Sequence, residues 1–404
     1  MHLLKNKRLV LFIILLIFSV FSSYLILTTS QIFNSDKHLV LLAEQFTKKH
    51  IALLPDKYLP LGDISDYYSN FYLYFGPLPS IILMPFVLIF GKNTPQVILG
   101  ILSMIISFFT IFSISKYFNF KKLDSLWLSL FFVFSTVLFS ASLINISAYQ
   151  VEVIGVPLIL LSLWAYFSKK NPIWIGVFIA LAVLARPTLI LAFVFFLFEF
   201  IQRRINAKQV LLILFPIIIA CLVFGLYNQR RFHSFFETGY KYSISLKTYP
   251  LFLNLRYGYM SPVHIPANLY SFLIMPPEPL IIHENGLTLK FPYLKANPWG
   301  MAIWYTSPLF LALLYKFKRG KYILSSVATA FIISIPIFLY FSVGFSQFGY
   351  RYALDFLPFL FIILLYALNK KLTNFDIALI TLGVIFNCIY ITSLWNVYPL
   401  FGIK

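Results

Sequence analysis

Charged side chains are scarce in this chain, and the ones that could do chemistry gather in a few places. The first is Asn34-Ser35-Asp36-Lys37-His38, just beyond the uncharged run Leu9–Thr29. Ser35 is suited to cap a helix, and Leu39, Leu42, Ala43 and Phe46 follow at helical spacing. This spacing predicts an amphipathic helix with Asp36 in its first turn, where exposed backbone N–H groups favour a carboxylate. The residue types therefore allow two roles for Asp36, a helix-capping acid or a positioned base at a membrane surface.

Further acids and arginines lie at the ends of other apolar stretches: Asp63, Asp66, Glu152, Arg186, Arg230, Arg231, Arg351 and Asp355. An ionisable group within or beside a membrane segment marks a functional position by default. Arg186 sits mid-stretch in Ala185-Arg186-Pro187-Thr188 and needs an anionic partner or a polar cavity. Asp355, Glu152 or a carbonyl could pair with it, or its fork-shaped guanidinium could hold a phosphate. Arg351 and Asp355 are four apart, so they could pair along one helix face. Tyr350 stands beside Arg351. His38, His50, His233, His264 and His283 lack tight ligand spacing, although some of them with Asp36 or Asp66 could hold a divalent metal ion. No P-loop, dinucleotide fingerprint or nucleophile elbow is present.

The elements that must position these groups follow from composition. Of the 404 residues, 60% are hydrophobic and 11% charged, with a mean hydropathy of +0.85. Soluble domains carry roughly a quarter charged residues, so the pattern predicts an integral membrane protein. Several stretches exceed the roughly 18 apolar residues that span a bilayer as a helix. Alternating strand-length segments are not evident, which disfavours an outer-membrane barrel. The expected fold class is all-α and polytopic, a single domain over 1–404 with about 10–12 membrane helices.

The net charge of +19 comes from short basic clusters between apolar stretches, the positive-inside pattern, rather than from a nucleic-acid arm. Lys5-Asn6-Lys7-Arg8 predicts a cytoplasmic N-terminus and an uncleaved first helix. Asp36 then falls on the outer side, with loops at 30–75 and 228–298. After the first loop, apolar segments are expected at 77–90, 96–115, 125–142, 152–168, 172–186, 187–200, 209–227, 299–315, 322–343, 352–368 and 377–396. Cys221 and Cys388 lie in apolar segments without a local partner.

The order of these pieces resembles the GT-C superfamily of membrane glycosyltransferases, near the protein-mannosyltransferase and aminoarabinose-transferase branch. The resemblance is carried by Ser35-Asp36 after the first helix, Phe75-Gly76-Pro77-Leu78-Pro79 and Ala185-Arg186-Pro187. It continues with Tyr227-Asn228, Arg231-Phe232, Gly239-Tyr240 and Gly349-Tyr350-Arg351-Tyr352 with Pro358. It implies an all-α GT-C-like membrane fold and transfer of a sugar from a polyprenyl-phosphate donor to a lipid, glycan or protein acceptor. By the same resemblance Asp36 would be the catalytic base. Arg186, Arg231 and Arg351 would bind the donor phosphate, with Asp63, Asp66, Tyr350 and Asp355 as further site residues. The chain lacks an acidic pair beside Asp36 and a soluble C-terminal domain, unlike better-known members. A carrier or flippase for a lipid-linked anion, or an O-antigen-type polymerase, would also use outward arginines and acids.

Overall fold

The computed structural model describes residues 7–29, 37–54, 62–244, 250–283 and 287–391. Asp36, Ser35 and the C-terminal 392–404 lie outside them.

The chain opens with α1 (Lys7–Thr29), α2 (His38–Thr47), and the strands β1 (Ile64–Tyr67) and β2 (Asn70–Leu73). Then follow α3 (Leu78–Phe90), α4 (Ile98–Tyr117), α5 (Lys122–Phe134), α6 (Val137–Leu143), α7 (Ser147–Phe167) and α8 (Pro172–Ala185). A 3₁₀ stretch, Pro187–Phe193, leads into α9 (Val194–Ile201) and the long α10 (Ala207–Phe232). The second half holds α11 (Ile265–Leu273), β3 (Glu278–His283), β4 (Thr288–Lys295), α12 (Ile303–Thr306), α13 (Ala312–Tyr315) and α14 (Ile323–Leu339). A 3₁₀ turn, Arg351–Asp355, precedes α15 (Leu357–Leu368) and α16 (Asn374–Tyr390).

The architecture is mostly helical. Among the described residues, four helices are long and apolar enough to cross a membrane: Lys7–Leu27, Ile98–Tyr117, Ser147–Phe167 and Ala207–Phe232. A fifth span results if α5 and α6, bent by 52° at Ser135–Thr136, act as one. Shorter apolar helices include α8, α14, α15 and α16. On α10 the exposed side chains Leu211, Phe215, Ile218, Leu222 and Leu226 recur at helical spacing, as on a face turned to hydrocarbon.

Breaks in the helices explain where the sequence reading and the structure part. The 125–142 segment is two helices because Thr136 adopts an extended backbone and its side chain caps α6. Asn387 on α16 covers the carbonyls freed at the bend, donating to Phe134, Thr136 and Thr306. Such compensation is what makes a broken helix tolerable away from water. The 299–315 segment is likewise split by Pro308 into α12, a 3₁₀ turn and α13. Helix α10 runs past the expected end at 227 to Phe232.

Two corrections concern the loops. They contain antiparallel hairpins, so the fold is not purely helical. In β1–β2, Tyr68 and Ser69 both have positive φ, the turn geometry whose twist suits a two-residue hairpin loop. Asn285-Gly286, a turn signal in the sequence, falls between β3 and β4 and lies outside the described residues. Helix α2 opens at His38 with Lys37 at its N-cap and no capping bond from the Lys37 side chain; the expected cap Ser35 lies outside the described residues. The helix is not a one-faced interfacial helix either, because His38 through Ala43 are all buried. They pack against α3 and into a core shared with Ile64, Leu73, Val151 and Ala185.

The β1–β2 hairpin of the first loop and residues 239–244 of the second form one layer. Ile244 N–H donates to Ile64 O, the Ser65 hydroxyl to Gly239 O, and Leu53 N–H to Phe71 O. Beneath it α7, α8 and α10 pack side by side. Gly176 allows the closest of these contacts, since a Cβ there would sit 2.2 Å from Ile213 O.

Candidate functional site

Four charges from three elements meet under this layer. Glu152 lies one turn into α7, Arg186 ends α8, and Arg351 and Asp355 bracket the 3₁₀ turn before α15. Arg186 leaves the helix because Pro187 disfavours helical geometry in the residue before it; its backbone is extended, with φ −139°. That break turns the guanidinium toward α7 and the 3₁₀ turn. Arg186 Nη1 is 2.8 Å from Glu152 Oε1, and Nη2 is 3.1 Å from Asp355 Oδ2. Arg351 Nη1 reaches the same Glu152 Oε1 at 2.9 Å. The Thr188 hydroxyl donates to Asp355 Oδ2 at 3.3 Å.

The two arginines and two carboxylates sum to zero charge, and all four are largely buried. Arg351 and Asp355 do not pair with each other, since the 3₁₀ turn places them at different partners. Glu152 Oε2 has no hydrogen-bond partner among the described residues. It is an open acceptor inside a buried site, where polar atoms are almost always satisfied.

Tyrosines wall the cluster. Arg351 lies 4.5 Å over the Tyr149 ring and 4.7 Å over Tyr352, whose hydroxyl accepts from Nη2 at 3.2 Å. Tyr149 donates to Ser346 O at 2.8 Å, which fixes the ring under the guanidinium. On the loop side, the Tyr74 and Tyr240 rings pack with centroids 4.3 Å apart. Burial raises the Tyr240 phenol against the lowering pull of Arg186, so it stays protonated. Burial, with the Asp63 charge adding to it, holds the Tyr74 phenol well above its usual range. Tyr74 therefore donates to Asp63 Oδ1, at 2.6 Å.

Gly76 sets the height of this wall. A Cβ at Gly76 would lie 2.1 Å from Leu184 O and 2.7 Å from Ala185 O, so the Phe75–Pro77 strand rests directly on the residues preceding Arg186.

Of the residues expected from sequence, Arg186, Arg351 and Asp355 converge, and Asp63 joins them through Tyr74 and Tyr240. Asp66 does not; it is exposed on β1. Tyr350 is buried and spends its hydroxyl on Asn268 Oδ1 at 2.8 Å, a packing role beside Phe272. Arg231 is held elsewhere. It stacks 3.9 Å from the Tyr227 ring and donates to Leu73 O and to Asn228 Oδ1, tying the end of α10 to β2. Asp36 lies outside the described residues. Glu152 is more central than the sequence suggested, and Tyr74, Tyr149 and Tyr352 were not singled out. In a chain with 26 tyrosines, only proximity to a charged partner marks these few.

His264 meets Gly258 O, and His233 ends α10 in left-handed geometry. Among the described residues no group of three or more His, Cys, Asp or Glu side chains is placed to hold a metal ion. An apolar cavity of about 240 Å³ begins at Ile190, one turn beyond Arg186, and runs between Phe193, Ile217, Cys221 and Phe235. Compared with known proteins, the chain matches no family model, no curated protein and no solved structure.

Proposed function

We propose that this chain is a membrane glycosyltransferase that moves a sugar from a polyprenyl-phosphate donor to an acceptor on the outer side of the membrane. The reading is supported above all by the Glu152–Arg186–Asp355 and Glu152–Arg351 network, walled by tyrosines and roofed by a first-loop acid. The wholly apolar cavity, lined by Ile190 four residues beyond Arg186, suits an isoprenoid tail.

In this reading an acceptor hydroxyl attacks the anomeric carbon as the bond to the donor phosphate breaks. The hydroxyl proton passes to a carboxylate, and the leaving polyprenyl phosphate carries away the bonding electrons. A single displacement of this kind inverts the anomeric centre. Asp36 is the proposed base. Arg186 and Arg351 would stabilise the charge that develops on the leaving phosphate, the role in which fixed cations contribute most. Because both are already paired, the phosphate must take the place of a carboxylate oxygen at Arg186. Glu152 Oε2 is free to accept a hydroxyl from the sugar.

One observation favours a second assignment of the base. Asp63 is oriented by Tyr74, beside Tyr240 and Arg186, and could accept the proton itself. The test of the function is direct. Purified protein given radiolabelled polyprenyl-phosphate mannose, glucose or arabinose, with extracted membrane glycans and lipids as acceptors, should release free polyprenyl phosphate from one of them. A donor that crosses vesicles intact, without release, would instead establish a carrier.

A further inference from the structure

We propose that the β3–β4 hairpin is a membrane-interface anchor, seating its apolar edge in the headgroup layer of the bilayer beside α11. The hairpin presents large apolar side chains to the outside: Leu287 is 71% exposed, Phe291 74% and Tyr293 55%, with Ile281 and Leu289 exposed beside them. Ile281 and Leu289 are directly paired across the strands and so share a face. Leu289 and Phe291 are two apart, which extends the same face along β4. A two-stranded hairpin that leaves this surface in water is marginal by itself.

What covers it follows from the neighbouring helices. On α14 the exposed side chains Leu324, Val327, Phe331 and Ile335 form one row along the helix. At the end of that row α11 is fastened across it, with Asn268 donating to Phe338 O and Tyr340 O and the Phe272 ring against Phe338. The exposed Tyr270 and Leu273 of α11, with Ile274 just after it, continue the apolar surface. Only Ile274, Met275, Pro276 and Pro277 separate α11 from β3. The outward apolar surface thus runs from α14 through α11 to the hairpin, and at the hairpin's base Glu278 and Lys295 neutralise each other in an ion pair of 3.2 Å. If the α14 row faces hydrocarbon, the hairpin stands at the level where that helix leaves it. Aromatic residues are enriched at this level, where an apolar ring body and a polar hydroxyl are both accommodated. Side chains of interfacial elements reach about 5–10 Å into the headgroup boundary. The proposal is independent of the glycosyl-transfer reading.

A nitroxide at Phe291→Cys tests it, in full-length protein carrying Cys221→Ser and reconstituted into phosphatidylcholine–phosphatidylglycerol vesicles. Phe215→Cys on the exposed face of α10 serves as the hydrocarbon reference and Asn70→Cys on the β1–β2 hairpin as the aqueous one. Collision with oxygen, which partitions into lipid, is compared with collision with a water-soluble nickel chelate. The ratio at 291 should exceed that at 70 by several-fold and lie below or near that at 215. A ratio equal to that at 70 would place the hairpin in water. Shielding from both reagents would mean that protein covers the face; either outcome overturns the proposal. Tyr293→Cys repeats the measurement if Phe291→Cys fails to match the parent protein in its melting profile.

Discussion

Arg186 illustrates what a single residue contributes and how its role can be measured. It bridges two buried carboxylates; among the described residues Asp355 would retain the Thr188 hydroxyl and Glu152 would retain Arg351. Removing one partner of a buried ion pair leaves an uncompensated charge, which costs about 3–5 kcal/mol. Arg186→Ala should therefore lower the melting temperature of the detergent-solubilised protein markedly, and Arg186→Ala with Asp355→Asn should recover part of the loss. Equal melting of Arg186→Ala and the parent protein would show that the network is not a closed unit. At this scale the sequence was informative about types and less so about partners. Scarcity of charge pointed to Arg186, Arg351 and Asp355, but four-residue spacing suggested a pair between Arg351 and Asp355 that the 3₁₀ turn prevents. Glu152 and Asp355 were both legible as partners for Arg186, and both pairs form; that Arg351 shares Glu152 was not.

Among the elements, the breaks matter more than the spans. Pro187 ends α8 so that Arg186 turns inward, and the Phe75–Pro77 strand lies on the last carbonyls of α8 through the bare backbone of Gly76. A methyl group at Gly76 would have to lift that strand off α8, carrying Tyr74 and Asp63 with it. Overpacking of this kind costs about 1–3 kcal/mol, and a displacement near 1 Å at a reacting site costs roughly 10²-fold in rate. Gly76→Ala should thus reduce turnover roughly 10²-fold, with a loss of about 1–3 kcal/mol in stability. Turnover unchanged in a stably folded Gly76→Ala protein would detach the loop from the site. Apolar length and basic punctuation made the long helices α1, α4, α7 and α10 readable from sequence. The bend at Ser135–Thr136 and the splitting of 299–315 were not, because Asn387, which satisfies the freed carbonyls, is some 250 residues from Phe134. The hairpins were hidden by their brevity, although Asn285-Gly286 carried a turn signal.

Across the whole molecule, the proposed topology has both loops and the charged network on the outer side, with the basic clusters inside. The fused layer made by 53, 64–73 and 239–244 is consistent with the two loops sharing a side. Asn70→Cys should react in intact cells with a membrane-impermeant maleimide, whereas Lys169→Cys should react only after permeabilisation. The reverse pattern would invert the topology and remove Asp36 from the outer surface. Composition alone was sufficient to predict a mostly helical chain with helices long and apolar enough to cross a membrane. The assembly of one polar chamber from residues 63, 74, 152, 186, 240, 351 and 355 depends on long-range packing that no local pattern encodes.

The central claim is that a first-loop carboxylate takes the acceptor's proton while a lipid-linked sugar is transferred. Release of polyprenyl phosphate from the labelled donor that the parent protein uses, measured for Asp36→Asn and for Asp63→Asn, tests it most directly. Loss of a general base costs roughly 10²–10⁴-fold, so Asp36→Asn should fall by that factor with donor binding retained, and Asp63→Asn by less. Full turnover in Asp36→Asn with collapse in Asp63→Asn would transfer the role to Asp63, and full turnover in both would contradict the account.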